Sequence, residues 1–191
     1  MDSHNSQEEV LKILSEAQAL LEGHFILRSG LHSGHFFQCA RLGEDLNAIN
    51  RLATLMLDKV ADLHFETVIA LAMGGLVIGQ EVARQSGARY LFLEKVDNKL
   101  ALKRNFKIKD QEKILLVEDV VTRGGRLQEA LTIIEQNRGN VVGIATLVDR
   151  GGDKPIFTVP YFSLLQLSFP TYEADALPEE LQSIPAIRPG H

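Results

Sequence analysis

Short apolar runs alternate along this chain with stretches whose apolar positions recur at helical spacing. Thr67 to Ala72, Tyr90 to Phe92, Ile114 to Val117 and Val141 to Val148 read as buried strands. Leu46 to Leu63 carries Ile49, Leu52, Ala53, Met56, Leu57 and Val60 on one helical face, with Asp45 placed as its N-cap. Val77 to Arg84 and Leu127 to about Gln136 are further helices, ended near Gly87 and Gly139. Strands that alternate with helices predict an α/β sheet.

The flanks read differently. Ser6 and Glu9 have capping-box spacing, so a helix is expected from Ser6, with Val10, Ile13, Leu14, Ala17, Leu20 and Leu21 inward and Gly23 as its C-cap. Residues 23–39 alternate around glycine-bearing turns and suggest a short hairpin. Tyr161 to Leu167 is expected to be an edge strand, and Pro170, Pro178, Pro185 and Pro189 mark an irregular tail with one helical turn at Glu179 to Leu181. The expected organisation is one domain: a helix and hood over residues 1–45, an α/β core over 46–168 and a tail over 169–191.

Composition changes this picture little. At 191 residues, a single domain buries roughly 70% of its unfolded surface. The 45% hydrophobic and 24% charged content is ordinary for a globular protein, and a net charge of −5 argues against bulk nucleic-acid binding. Cys39, the single cysteine, excludes an internal disulfide and reads as a small buried apolar residue. No apolar run approaches membrane-spanning length, and the first residues lack signal-peptide character. The expectation is a cytoplasmic protein with no membrane and no nucleic-acid partner.

The chemistry concentrates between Lys113 and Ala130. After the apolar run come Glu118 and Asp119, then Val120, Val121, Thr122, Arg123, Gly124, Gly125 and Arg126. In an open parallel sheet, ligands bind beyond the carboxyl ends of the strands. Consecutive N–H groups at a glycine turn entering a helix form an anion site, while adjacent carboxylates accept hydrogen bonds from sugar hydroxyls. The pattern fits a phosphorylated sugar. It is neither a Walker loop nor a dinucleotide fingerprint. Met73, Gly74 and Gly75 repeat the logic after the preceding strand and suit a second anion. From Glu94 to Lys109 six cations face two acids, and a lysine-rich loop of this kind suits closure over a pyrophosphate. As a solvated loop it would look the same.

The central pattern resembles the signature of type I phosphoribosyltransferases. The segment Phe25, Leu27, Arg28, Ser29, Gly30 and Ser33, followed by Phe36 and Phe37, resembles the N-terminal segment of the orotate-specific members. The resemblance covers nearly the whole chain and implies a central, mainly parallel sheet flanked by helices, with a small N-terminal hood. It implies that Glu118 and Asp119 hold ribose hydroxyls, and that Val120, Val121, Thr122, Arg123, Gly124, Gly125 and Arg126 belong to the 5′-phosphate loop. Arg126 either adds a phosphate contact or points to solvent. Met73, Gly74 and Gly75 become the pyrophosphate loop.

By the same resemblance, Arg28, Phe36, Phe37, Thr122 and Arg150 line the orotate pocket; composition alone reads Arg28 as a surface arginine and the phenylalanines as core. A mobile loop supplies a catalytic lysine, often across a dimer interface. The chain departs from a common form of that loop, because Glu94 stands in its first basic position, so the order of preference is Lys99, Lys95, then Lys103. The implied reaction joins orotate to phosphoribosyl pyrophosphate, with Mg²⁺ carried mainly by that substrate and with a homodimer as the assembly. A purine-base phosphoribosyltransferase, or a non-catalytic RNA- or nucleotide-binding regulator of the same fold, are the alternatives.

Overall fold

The computed structural model describes residues 3–27, 29–151 and 157–189. Its centre is a six-stranded sheet built from β3 (Thr67–Leu71), β4 (Arg89–Val96), β5 (Lys99–Ala101), β6 (Lys113–Val121), β7 (Asn140–Asp149) and β8 (Tyr161–Gln166). The order is β5-β4-β3-β6-β7-β8, parallel except for β5, which returns antiparallel along β4. Because β4 lies on one side of β3 and β6 on the other, the winding reverses there. The carboxyl ends of β3 and β6 therefore flank a topological switch point, where parallel sheets bind ligands.

Helices α2 (Leu46–Lys59), α3 (Gly75–Ser86) and α4 (Gly125–Gln136) cover the sheet. Its two faces feed two cores. Leu115, Val117, Ala145 and Leu147 pack with Leu52 and Met56 of α2 and Ile78 and Val82 of α3, while Ile114, Leu116 and Ile144 pack with Leu127, Ala130 and Ile134 of α4. At about 25 cal/mol per Å² of apolar surface, this two-sided burial is the main favourable term. Close approach of α3 to β3 requires Gly79, where a Cβ would come within 2.6 Å of the Ala70 Cβ. Asp45 caps α2 as expected, accepting from the Asn47 and Ala48 N–H groups at 2.9 and 3.2 Å.

Two expectations for the N-terminus are corrected. Helix α1 spans Ser3–Glu16, so Ser6 lies inside it and not at its cap. The helix ends at Glu16, Gln18 takes a positive φ of 51°, and Leu20 and Leu21 open strand β1 (Leu20–Ile26), so Gly23 is a strand residue rather than a helix cap. Strand pairing of Leu20 with Phe37 and Leu21 with Phe36 outweighs their helical spacing.

The hood is the expected hairpin with an unexpected third strand: β2 (His32–Phe37) pairs with β1 and with β9 (Thr171–Tyr172). The tail is thus less irregular than its prolines suggest. Ile187 donates to His24 O and accepts from Ile26 N, each at 2.9 Å, and a four-residue helix α5 (Glu179–Gln182) lies where one turn was expected. The buried His24 and His32 rings share a 2.6 Å hydrogen bond inside this hood.

Candidate active site

Strand β6 carries the two acids, and it runs on to Val121, so Glu118 and Asp119 are strand residues rather than loop residues. Side-chain alternation slips by one at this point. Leu115 and Val117 belong to one core and Ile114 and Leu116 to the other, whereas beyond the acids Val120 joins the first core and Val121 the second. Glu118 is buried, its side chain only 3% exposed; Asp119 is half-buried. Burial, then the neighbouring Asp119 charge, pushes the Glu118 carboxyl well above the usual carboxylate range, and Arg126 opposes that rise.

The loop after β3 lies against these acids. A Cβ at Gly74 would overlap the Asp119 carboxylate, and one at Gly75 would stand 3.3 Å from Glu118 Oε1 and 3.2 Å from the Val117 carbonyl. Only glycine lets the backbone come this close. The peptide bond between Ala72 and Met73 is cis. Tyr90 on β4 donates its hydroxyl to Leu76 O at 2.9 Å, holding the first turn of α3 in place.

Both loops end on helices that no side chain caps: α3 begins after Gly74, and α4 after Gly124, whose φ of 73° is left-handed. Helix α2, by contrast, has its aspartate cap. The Leu76 N–H of α3 donates to Met73 O at 3.2 Å, and the other first-turn N–H groups of α3 and α4 are available to anions. Thr122 and Arg123 are exposed beside the second cradle. Arg126, expected at a phosphate or in solvent, has a side chain 45% exposed that donates from Nη2 to Ala72 O at 2.6 Å, with Nη1 3.7 Å from Glu118 Oε2.

Arg150 follows β7 directly, its N–H donating to Val121 O at 2.8 Å. The guanidinium stands 5.6 Å from the centre of the Phe37 ring, and Nε is buried without a hydrogen-bond partner. Among the described residues no carboxylate pairs with it, and burial alone lowers its pKa. Phe37 touches Phe169 of the tail, which stacks on His35 at 3.9 Å. Phe36, the adjacent strand residue, faces the other way toward Phe25. Hood, tail and β7 thus meet around one cation that has no counterion among the described residues. Arg28 lies outside the described residues.

The lysine segment is the largest departure. Its first part is a hairpin: Glu94, Lys95 and Val96 of β4 pair with Ala101, Leu100 and Lys99 of β5 around Asp97 and Asn98, both at positive φ. Such a two-residue turn matches strand twist, and Asp and Asn tolerate it. The hairpin is fastened to α4, since Glu129 accepts from the Leu100 N–H at 2.8 Å, and Glu94 forms a bidentate pair with Arg104 at 2.9 Å. Lys95 shares a face with its partner Leu100 and Lys99 shares the opposite face with Val96. Both are exposed, as is Lys103.

Beneath the rim, an apolar cavity of about 180 Å³ is lined by Cys39, Ile49, Met73, Gly74, Val77 and Leu147, among others. Cys39 is buried there, and burial with the fields of Asp119 and Glu118 raises its thiol well above the ordinary value. Sequence reasoning gave Cys39 a core role without placing it behind the acids.

Comparison with known proteins identifies the family. Residues 41–156 match the model of the phosphoribosyl transferase domain. The chain is 43% identical over 187 residues to the orotate phosphoribosyltransferase of Novosphingobium aromaticivorans, covering 96% of each chain. It is 42% identical over 188 residues to that of Erythrobacter litoralis, covering 97% of each. The fold is similar to the crystal structure of orotate phosphoribosyltransferase from Aeropyrum pernix, with a TM-score of 0.73 at 24% identity over 83% of this chain and 93% of that one.

Proposed function

The chain belongs to the phosphoribosyl transferase family, and from that premise we propose that it transfers the 5-phosphoribosyl group of phosphoribosyl pyrophosphate to orotate, in pyrimidine nucleotide synthesis. Full-length similarity to relatives named for this activity supports the choice. The observation that carries the choice of base is Arg150, half-buried over Phe37 with no carboxylate of its own among the described residues. A planar base bearing a carboxylate supplies both missing contacts, an anion for the guanidinium and a flat surface for the aromatic ring.

In the reaction, N1 of orotate bonds to C1 of the ribose as the C1–O bond to pyrophosphate breaks; the bonding pair leaves on pyrophosphate and the N1 proton is released. Positive charge builds on the sugar. Glu118 and Asp119 would hold the 2′ and 3′ hydroxyls and stabilise that charge in a site where burial strengthens their field. Thr122, Arg123, Gly124 and Gly125 would cradle the 5′-phosphate, and Met73, Gly74 and Gly75 the pyrophosphate. Arg150, Phe37 and Arg28 would select the base, with Phe36 contributing through its backbone.

A cation fits this donor set as one carried by the substrate. Among the described residues no group of three or more His, Cys, Asp or Glu is clustered for a metal, and Mg²⁺ typically keeps few protein ligands beside phosphate. When bound with the substrate, Mg²⁺ would supply charge neutralisation at the pyrophosphate. A lysine of the segment 95–103, Lys99 before Lys95 or Lys103, would neutralise the leaving group, within its own chain or across a homodimer. Among the described residues no helix is long and apolar enough to cross a membrane, and we place the protein in the cytoplasm as one phosphoribosyltransferase unit.

A panel of bases tests the reading. Release of pyrophosphate should occur with orotate and not with adenine, hypoxanthine or uracil, the last differing from orotate only by its carboxylate. Release with adenine or hypoxanthine would replace orotate by a purine.

A further inference from the structure

Arg126 occupies an unfavourable position by local rules. It lies in the first turn of α4, where a cation opposes the helix dipole, a penalty of about 0.3–1 kcal/mol. Its side chain nevertheless leaves the helix axis for the neighbouring loop and reaches the Ala72 carbonyl at 2.6 Å. Ala72 is the root of the Met73-Gly74-Gly75 loop, and its own N–H is fixed to Leu93 O at 2.8 Å. Strand pairing between β3 and β6 has already ended at Ala70 and Val117. Beyond that pair, among the described residues, the Arg126 bond is the hydrogen bond that joins the two loops, and its second nitrogen rests on the buried Glu118.

We propose that Arg126 is a positioning residue that clamps the β3 loop to the β6 loop, fixing the spacing of the two anion cradles and setting a cation beside the Glu118 carboxylate. The inference rests on the phosphoribosyl-transfer reading and deepens it. One substrate carries both of its anionic ends into these cradles, so their separation must match the molecule, and small misplacements of reacting groups are costly.

The glycines bring the loops into contact but supply no attraction, because Gly74 and Gly75 meet carboxylates by close packing. Arg126 supplies it. The groups that bear on Glu118 are Asp119 from its own strand, Cys39 from the 3₁₀ helix Cys39–Glu44, the Gly75 backbone from α3, Thr146 opposite on β7 and Arg126 from α4. Arg126 is the cation among them.

The test compares wild type with R126M, which keeps the chain length and removes charge and fork, and with R126K, which keeps the charge. Inhibition constants for inorganic pyrophosphate and for ribose 5-phosphate are measured in the orotate assay, with the pH profile of kcat/KM. In R126M both anions should weaken together, by about tenfold, although the residue sits on only one of the two loops. The acidic limb of the profile should move to higher pH. R126K should return that limb to its wild-type place and recover part of both affinities.

Weakening of ribose 5-phosphate alone would make Arg126 a direct phosphate ligand and overturn the clamp. Wild-type values for both anions and an unmoved limb would make it a surface residue. If R126M does not fold, an acidic limb in R126K that moves to higher pH overturns the contact with Glu118, and one that stays with both anions weakened together supports the clamp. A wild-type protein without transfer activity would defeat the underlying reading, and the clamp with it.

Discussion

The Gly74 backbone lies so close to the Asp119 carboxylate that any side chain at position 74 would collide with it. Gly74→Ala must therefore push either the loop or the acid out of place. We expect kcat/KM for phosphoribosyl pyrophosphate to fall by at least about tenfold, near 1.4 kcal/mol in barrier. Orotate affinity, measured separately by titration, should change far less, since Arg150 and Phe37 stand on other elements.

Arg150→Ala should raise the KM for orotate by roughly ten- to a hundredfold, the equivalent of about 1.5–3 kcal/mol for a hydrogen bond to a charged group. The KM for phosphoribosyl pyrophosphate should move little. Arg150→Lys should recover only part of the loss, because an ammonium lacks the planar fork. Steady-state kinetics with each substrate varied in turn separates these outcomes.

Glu118 sets a trade between stability and chemistry. Its folded pKa lies above the unfolded value, so the folded state binds the extra proton between the two values, and stability falls as pH rises through that window. Glu118→Gln mimics the protonated form. It should melt at a higher temperature than wild type at pH 8, and the gap should close as pH falls toward the ordinary carboxylate range. Turnover should drop at every pH. A variant that melts below wild type at pH 8 would contradict the assignment.

Glu81 behaves in the opposite sense. It receives Arg84 at 2.6 and 2.8 Å, Asn50 at 3.0 Å and Gln85 at 2.9 Å, joining α3 to α2, and its pKa is lowered from 4.5 to about 2, chiefly by the Arg84 bond. Its stabilisation is complete above 4.5 and is lost as pH falls toward 2. Glu81→Gln should therefore be less stable than wild type at neutral pH, with the difference shrinking through that acid window in thermal melts.

Much of the site could be read along the chain because each part is local. An apolar run, two acids, a threonine and a glycine turn entering a helix are contiguous, and β6, its loop and α4 appear where those signals stand. Relations across the fold were hidden. Nothing local announces that Arg126 leaves its helix for Ala72, or that alternation slips at Glu118, since both depend on β3 lying beside β6. Leu20 and Leu21 fit a helix by spacing and were claimed by a strand because Phe37 and Phe36 pair with them. The cation run around Lys95 and Lys99 concealed a hairpin whose Asp97-Asn98 turn is a weaker signal than Asn-Gly. The β2–β9 pairing, brought about by a tail rich in proline, had no local signal at all.

The most direct measurement follows orotate by its ultraviolet absorbance in the presence of the protein, phosphoribosyl pyrophosphate and Mg²⁺, with each component omitted in turn. Absorbance should fall only when all are present, with pyrophosphate appearing in equal amount. Unchanged orotate in the complete mixture, from protein that is folded by thermal melt, would contradict the transfer to orotate.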